Sequence, residues 1–338
     1  MSNLLERTEL ELRSNSPRSS QIQDSLPAIL YEPLNTNPNM AEKFTSHFKI
    51  KTKDIEFVDI PVNDEDLLAF ICPFLIENNK SDKIVLKISN RLKNFLSELN
   101  KTFIKTNDFK NGIPFLDHLH EPNEYHLGYS ASNKGKAVSK SKAQDIFTSL
   151  RNNRFAKQGL SITNEAHNVL LLVDGIGQDI MSDIIANVCR DIFGDFTTKI
   201  CKKYSIPTRP TKIEFYNDNT KKWEQINIDL PFNNGSIIVI PNKLLSGGRA
   251  YANLYNWFVS SNYISKEVLN QKSPSKKMVT QMKDGTRKAV IKEVYKQYKK
   301  PKKDLIDFVL KYQNSLDEFI DYAKTHYPEL ILDHLKGK

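Results

Sequence analysis

The chain has 338 residues and a formal net charge of +9, with 39% hydrophobic and 26% charged residues. That is enough for one large domain or two modest ones with an ordinary globular core, and no apolar run approaches the ~20 residues of a membrane span. The N-terminus, MSNLLERTELELRSNS, lacks the basic-then-apolar pattern of a secretory signal, and Cys72, Cys189 and Cys201 read as reduced core thiols of a cytoplasmic protein.

Residues 1–45 are polar and rich in Ser, Asn and Pro, which predicts an N-terminal arm without a core of its own. IEFVDIPV, from Ile55, reads as a strand. The acidic turn Asn63-Asp64-Glu65-Asp66 follows, then LLAFICPFLI, a strand or a buried helix end limited by Pro73. Ser81 to Lys105 has Val85, Ile88, Leu92, Phe95, Leu96 and Leu99 at helical spacing, with Ser81 and Asp82 placed to cap its start. Next comes a compact polar cluster: Asp117, His118, His120, Glu121, Glu124 and His126. A Gly/Ser/Lys loop, Gly128 to Lys142, leads into a helix with Ala143, Ile146, Phe147 and Leu150 on one face.

Asn168 to Cys201 is the centre of the reading. Val169 to Val173 predicts a buried strand, and Asp174-Gly175-Ile176-Gly177 predicts a turn. The helix after it separates Ile180, Met181, Ile184, Ile185, Val188, Ile192 and Phe196 from a polar side with Asp179, Asp183, Asn187 and Arg190. Further on, KIEFYNDNTKKWEQINIDLPF predicts a hairpin turning at Asn217-Asp218-Asn219. SIIVIPNKLL predicts a short buried strand, and ANLYNWFVSSNYI an aromatic helix. Helices are expected to the end of the chain. The overall expectation is an α/β fold, a mixed sheet with packed helices, over 46–262. A small basic α-helical region is expected to follow over 263–338.

The positive charge is concentrated. Between Lys266 and Lys303 there are thirteen Lys or Arg against three Asp or Glu. Such a patch favours a polyanion, of which nucleic acid is the first candidate; a lysine-rich solubilising surface is the plainer alternative.

Asp179 and Asp183 are one helical turn apart, a pairing that costs roughly 0.2–0.5 kcal/mol in an isolated helix. A bound cation reverses that sign. With Asp174, Glu121 and Glu124 folded alongside, five carboxylates would suit Mg²⁺ or Mn²⁺, which activates water and clamps a phosphodiester. The plainer alternative is a capped surface helix with a solvated acidic face. His118, His120 and His126 alone would suit zinc, though carboxylate-rich surroundings favour harder ions. Lys134, Lys136, Lys140 and Lys142 precede or open a helix and could contact phosphate. The loop is not a P-loop, because six residues separate Gly128 from Gly135 and Ala137 replaces the expected Ser or Thr. A dinucleotide fingerprint fails too, since Ile180 stands at the third glycine. There is no GxSxG.

Four stretches together, HEPNEYHLGYSASNKGKA, LLLVDGIGQDIMSDIIANV, LPFNNGSIIVIPNKLL and the Lys-rich tail, resemble a family of uncharacterised bacterial proteins associated with restriction and anti-phage neighbourhoods. The resemblance runs from about Asp54 to the C-terminus and is most specific at Glu124 to Ser130 and Gly175 to Asn187. Where that family carries an Asp, this chain has Cys72, so one potential acidic ligand is missing. The resemblance implies a defence setting.

The expected function is metal-assisted phosphodiester hydrolysis in the cytoplasm. Asp174, Asp179, Asp183, Glu121 and Glu124 would hold Mg²⁺ or Mn²⁺, with Asp183, Glu124 and Lys136 as catalytic groups. Lys134, Lys136, Lys140, Lys142, Lys276, Lys277, Arg287 and Lys288 would contact nucleic acid, DNA ahead of RNA. The alternative is a non-catalytic nucleic-acid sensor or partner subunit. A third reading is an interaction protein, homo-oligomeric or bound to another defence protein through Tyr251, Tyr255, Trp257 and Phe258. No membrane partner is expected.

Overall fold

The computed structural model describes residues 42–52, 54–63, 66–128, 140–157 and 161–326. These all fall in one compact unit. Most of the N-terminal arm lies outside the described residues, as do Lys134, Lys136 and the side chain of Lys140. The architecture is helices packed with small antiparallel sheets, an α/β arrangement. Among the described residues the strands form three separate two-stranded antiparallel pairs rather than one continuous sheet.

The core is built around the helix Gln178–Val188, in which nine of eleven residues are buried. Its apolar side meets the helix Lys83–Glu98, which starts where Asp82 accepts hydrogen bonds from the Ile84 and Val85 amides. Ser182, one turn in, accepts from Ile71 N at 3.0 Å and so ties the helix to the short strand Phe70–Ile71. That strand pairs with Leu245–Ser246. Gln178 donates to Ser246 Oγ at 2.6 Å and accepts from Arg249 N at 2.7 Å, which fixes the helix start against the same segment.

The apolar run at Val169 is not a strand. Ala166–Leu172 is a helix with every residue buried. A short run that is buried all round carries no period, so sequence cannot separate the two states there. The expected strand–turn–helix is therefore helix–turn–helix. Gly175 turns with φ +82°, and a β-carbon there would stand 2.5 Å from Ser149 Oγ. Both the backbone angle and the close helix Lys140–Asn152 require glycine. The long helix expected beyond Gln178 breaks at Cys189 and resumes as Arg190–Tyr204.

The hairpin is observed as Arg209–Asn217 paired with Lys222–Leu230. Residues Ile237 to Ile240 are buried and extended as expected, but they join no ladder. Their amides are used singly, Ile238 N on Glu124 O at 2.8 Å and Val239 N on Thr197 Oγ1 at 3.0 Å. The IEFVDIPV segment likewise makes only isolated bridges, such as Phe57 with Pro241.

The basic region carries a second short hairpin, Val279–Gln281 with Arg287–Ala289, before its helices. It is not loosely attached. Phe319, on the helix Ser315–His326, is fully buried and meets Tyr255, Phe258 and Phe74 at ring-centroid distances of 5.0, 5.6 and 5.7 Å. Tyr251, Tyr255 and Phe258 pack in the core, the plainer use of these rings, and Trp257 is half-buried. Among the described residues no helix is long and apolar enough to cross a membrane. Truncation of a fully buried Phe costs about 3–5 kcal/mol. Phe319→Ala is therefore expected to lower the urea midpoint of the whole chain in one transition; an unchanged core midpoint would mean that the last helix is separable.

Candidate functional site: an acid cluster around one lysine

Three segments meet at the polar side of the helix Gln178–Val188. The first two are joined by a parallel bridge between Leu67 and Leu127. Leu67 N donates to His126 O at 2.8 Å, and Gly128 N donates to Leu67 O at 3.1 Å. This zips Asp66 against Gly128. A β-carbon at Gly128 would stand 3.8 Å from Asp66 Oδ2 and 4.0 Å from Asp179 Oδ1, and its φ is +139°. Glycine is thus needed between the two carboxylates. The third segment is the helix Lys140–Asn152, whose Lys142 reaches Asp183 Oδ2 at 2.5 Å and Glu121 Oε2 at 4.0 Å.

Asp183, Glu121 and Asp179 therefore face the Lys142 ammonium, and Asp66 adjoins Glu121 and Asp179. Asp183 is 7% exposed. Its burial pushes the carboxyl up to about 7; the Lys142 ammonium opposes this, while Glu121 and Asp179 add to it. Burial alone would lower Lys142, but its interaction with Asp183 outweighs that and keeps the side chain cationic. Asp66 is pushed up to about 6, first by burial and then by Glu121 and Asp179. Its Oδ1 is buried and, among the described residues, has no hydrogen-bond partner. Glu121 is also raised, by burial first. Among the described residues, the cation that meets these acids is Lys142, at Asp183 and Glu121.

The structure sorts the expected residues clearly. It brings Glu121, Asp179, Asp183 and Lys142 together. Lys142, expected on a phosphate-gripping loop, instead lies inside the acid cluster. Glu124 stays with Arg190, an ion pair of 2.8 Å whose angle is not that of a hydrogen bond. Arg190 also reaches His120 Nε2 at 3.0 Å and donates to Asn187 Oδ1 at 2.8 Å. Burial and this guanidinium hold His120 below its ordinary value, so it stays neutral. Asp174 is exposed in the turn and faces Lys302, whose ammonium donates to Ile176 O at 2.7 Å.

The histidines do not form a zinc set. His118 pairs with Glu214 at 3.0 Å and stacks on Trp223, while His120 serves Arg190. Lys276, Lys277, Arg287 and Lys288 are all exposed, but the Arg287 guanidinium donates to the carbonyls of Leu269 and Gln271. Asp66 was missed because the acidic run Asn63 to Asp66 reads as a turn. Its approach to Gly128 depends on pairing across about sixty residues. Among the described residues, the one group of three metal-binding side chains with ligand atoms within 4.8 Å of each other is Glu77, Glu165 and His167, not the expected acids.

The fold and this site define a helix-rich α/β protein with a part-buried acidic cluster. A family profile described as a domain of unknown function, DUF8370, matches residues 47–252, more than half of the chain. The chain belongs to that family. The acid cluster lies inside the matched region and the basic segment from Lys266 lies outside it. A comparison with curated proteins finds no match, and a comparison with solved structures finds none either.

A carboxyl raised from 3.8 to about 6 holds its proton longer in the folded than in the unfolded chain. Ionising it then costs stability, by an amount that is absent below pH 3.8, grows up to about pH 6 and is constant above. Asp66→Asn removes that cost. The variant is expected to melt above the parent at pH 7–8 and to converge with it near pH 4, as thermal unfolding across that range will show.

Proposed function

We propose that the acid cluster is a phosphodiester-hydrolysing centre that works with Mg²⁺ or Mn²⁺ on nucleic acid, in the defence setting that the sequence resemblance implies. The observation that carries this reading is the buried, partnerless Asp66 Oδ1 beside three further carboxylates. Unpaired anionic oxygen in a half-buried site is expensive, and a hard dication relieves it.

The residues fit such an ion in one respect and limit it in another. Asp66, Asp179 and Glu121 offer oxygen donors only, the chemistry that Mg²⁺ and Mn²⁺ take. The acids do not form a tight three-donor cage, but Mg²⁺ keeps several waters and often binds through only one or two carboxylates. When bound, the ion would supply an activated water and a clamp on a phosphate oxygen. Asp183 is committed to Lys142, and so works by holding the ammonium at the edge of the cluster. From there Lys142 can neutralise charge that develops on a transferring phosphate. Exposed Lys276, Lys277 and Lys288 give a polyanion somewhere to rest.

Asp66→Asn and Lys142→Met are each expected to lower cleavage of plasmid or RNA by about 100-fold or more. Asp66→Asn is the cleaner change, because it relieves repulsion and leaves the fold more stable. Mg²⁺ at pH 8 should also raise the melting temperature of the parent and not of Asp66→Asn. Undiminished cleavage in Asp66→Asn, with an equal Mg²⁺ shift in both proteins, overturns the assignment.

A second reading is a nucleic-acid-binding module without catalysis, favoured by the exposed lysines of the basic hairpin. In that case no metal promotes cleavage. Replacing Lys276, Lys277 and Lys288 by Ala then weakens binding and flattens its salt dependence by roughly one unit for each phosphate that is no longer neutralised.

A further inference from the structure

A second cluster lies away from the acids. Glu77 is on the helix Pro73–Asn78, Glu165 caps the helix Ala166–Leu172, and His167 is in that helix's first turn. One ligand atom from each lies within 4.8 Å of the other two. The acids are 88 residues apart in sequence, so the packing of the two helices brings them together.

His167 is the informative member. It is 6% exposed, and its ring lies against Phe74 at 5.7 Å. Among the described residues its nitrogens make no hydrogen bond, although one of them lies within 4.8 Å of two carboxylates. The two acids are each met by a surface lysine, Lys80 on Glu77 and Lys93 on Glu165, with lysine side chains 41% and 58% exposed against 18% and 29% for the acids. Half-exposed pairs of this kind contribute little to stability. They hold the acids only weakly, and the ammonium groups can swing into water when a stronger cation arrives.

We infer that Glu77, Glu165 and His167 bind a transition-metal dication of the zinc class, which joins the helices Pro73–Asn78 and Ala166–Leu172. One imidazole nitrogen and two carboxylate oxygens are a zinc-type donor set, whereas the all-oxygen acid cluster is not. Donors about 2.1 Å from Zn²⁺ stand roughly 3.4 Å apart in a tetrahedron, so small side-chain rotations close the set. A water could complete the set. The helix that starts at this cluster ends at the Asp174 turn. A metal here would fix the segment that delivers the helix Gln178–Val188.

The experiment is a Zn²⁺ titration by calorimetry on the untagged full chain after chelator treatment, with Co²⁺ absorption as a second probe. The parent and Asp66→Asn should each take up one saturable equivalent and melt at higher temperature with it. Glu77→Gln and Glu165→Gln, at partly exposed positions that tolerate the change, should bind about 100-fold more weakly or worse and lose the thermal shift. His167→Asn should do the same. Equal affinity in the parent and both Gln variants, or no saturable uptake by the parent, overturns the inference. Retained Zn²⁺ binding in Asp66→Asn keeps this test separate from that of the acid cluster.

Discussion

The contact between Lys142 and Asp183 sets the character of the site. Asp183 lies on a helix that is buried on nearly all sides, so its charge needs a partner from another segment. Lys142 comes from the helix Lys140–Asn152 and provides it. Removing one member of a buried ion pair costs about 3–5 kcal/mol, because the survivor is left desolvated and unpaired. The pair thus holds two helices in register. Lys142 meets only part of the acid cluster. It lies 2.5 Å from Asp183 and 4.0 Å from Glu121, and Asp66 keeps an oxygen with no partner among the described residues.

Burial of charge is not unusual elsewhere in this chain, which is why the imbalance matters. Arg91 is 6% exposed and is answered completely: its Nε meets Asp218 at 2.8 Å, and its Nη1 meets Asp191 at 3.0 Å and the Tyr216 carbonyl at 2.6 Å. Arg190, at the far end of the polar side, faces Glu124, His120 and Asn187, though among the described residues its Nε makes no hydrogen bond. A satisfied network such as that of Arg91 rigidifies a core. Asp66, by contrast, keeps a buried carboxylate oxygen with no partner among the described residues. Local rules broken without compensation inside an otherwise consistent fold mark the places where function is the usual reason.

Much of this was legible in the sequence, and the failures have physical causes. Helical spacing located the helices at Lys83 and Gln178, and alternation located the long hairpin. The carboxylate pair Asp179 and Asp183 was visible because helical periodicity puts it on one side. The Val169 run was misread because a fully buried helix and a fully buried strand look alike over five residues. The plainer alternative put the polar side in water, yet Asp183, Asn187 and Arg190 are buried. Nothing in the helix reveals that the segment from His120 to Gly128 covers it. Asp66 and the pairing of Glu77 with Glu165 depend on packing across tens of residues, which spacing arguments cannot reach. Glu124 and Lys142 lie in the expected neighbourhood, where Glu124 meets Arg190 and Lys142 meets Asp183, contacts that spacing alone does not reveal.

The two electrostatic features of the chain work against each other unless a cation joins them. Under the proposed function, the exposed Lys276, Lys277 and Lys288 would draw in a polyanion and raise its local concentration. The acid cluster repels the same polyanion at short range, since like charges 4 Å apart at the effective dielectric of a protein surface cost about 4 kcal/mol. Lys302 shows that these regions are in mechanical contact: a lysine of the basic segment donates to the Ile176 carbonyl, in the turn that starts the acid-bearing helix. A phosphate drawn in by the lysines could settle at the carboxylates only if a dication bridged the two. Under the proposed function, the Asp66 oxygen that lacks a partner among the described residues and the positive charge of the chain would serve one end, with a dication making an acidic centre accessible to an anionic polymer.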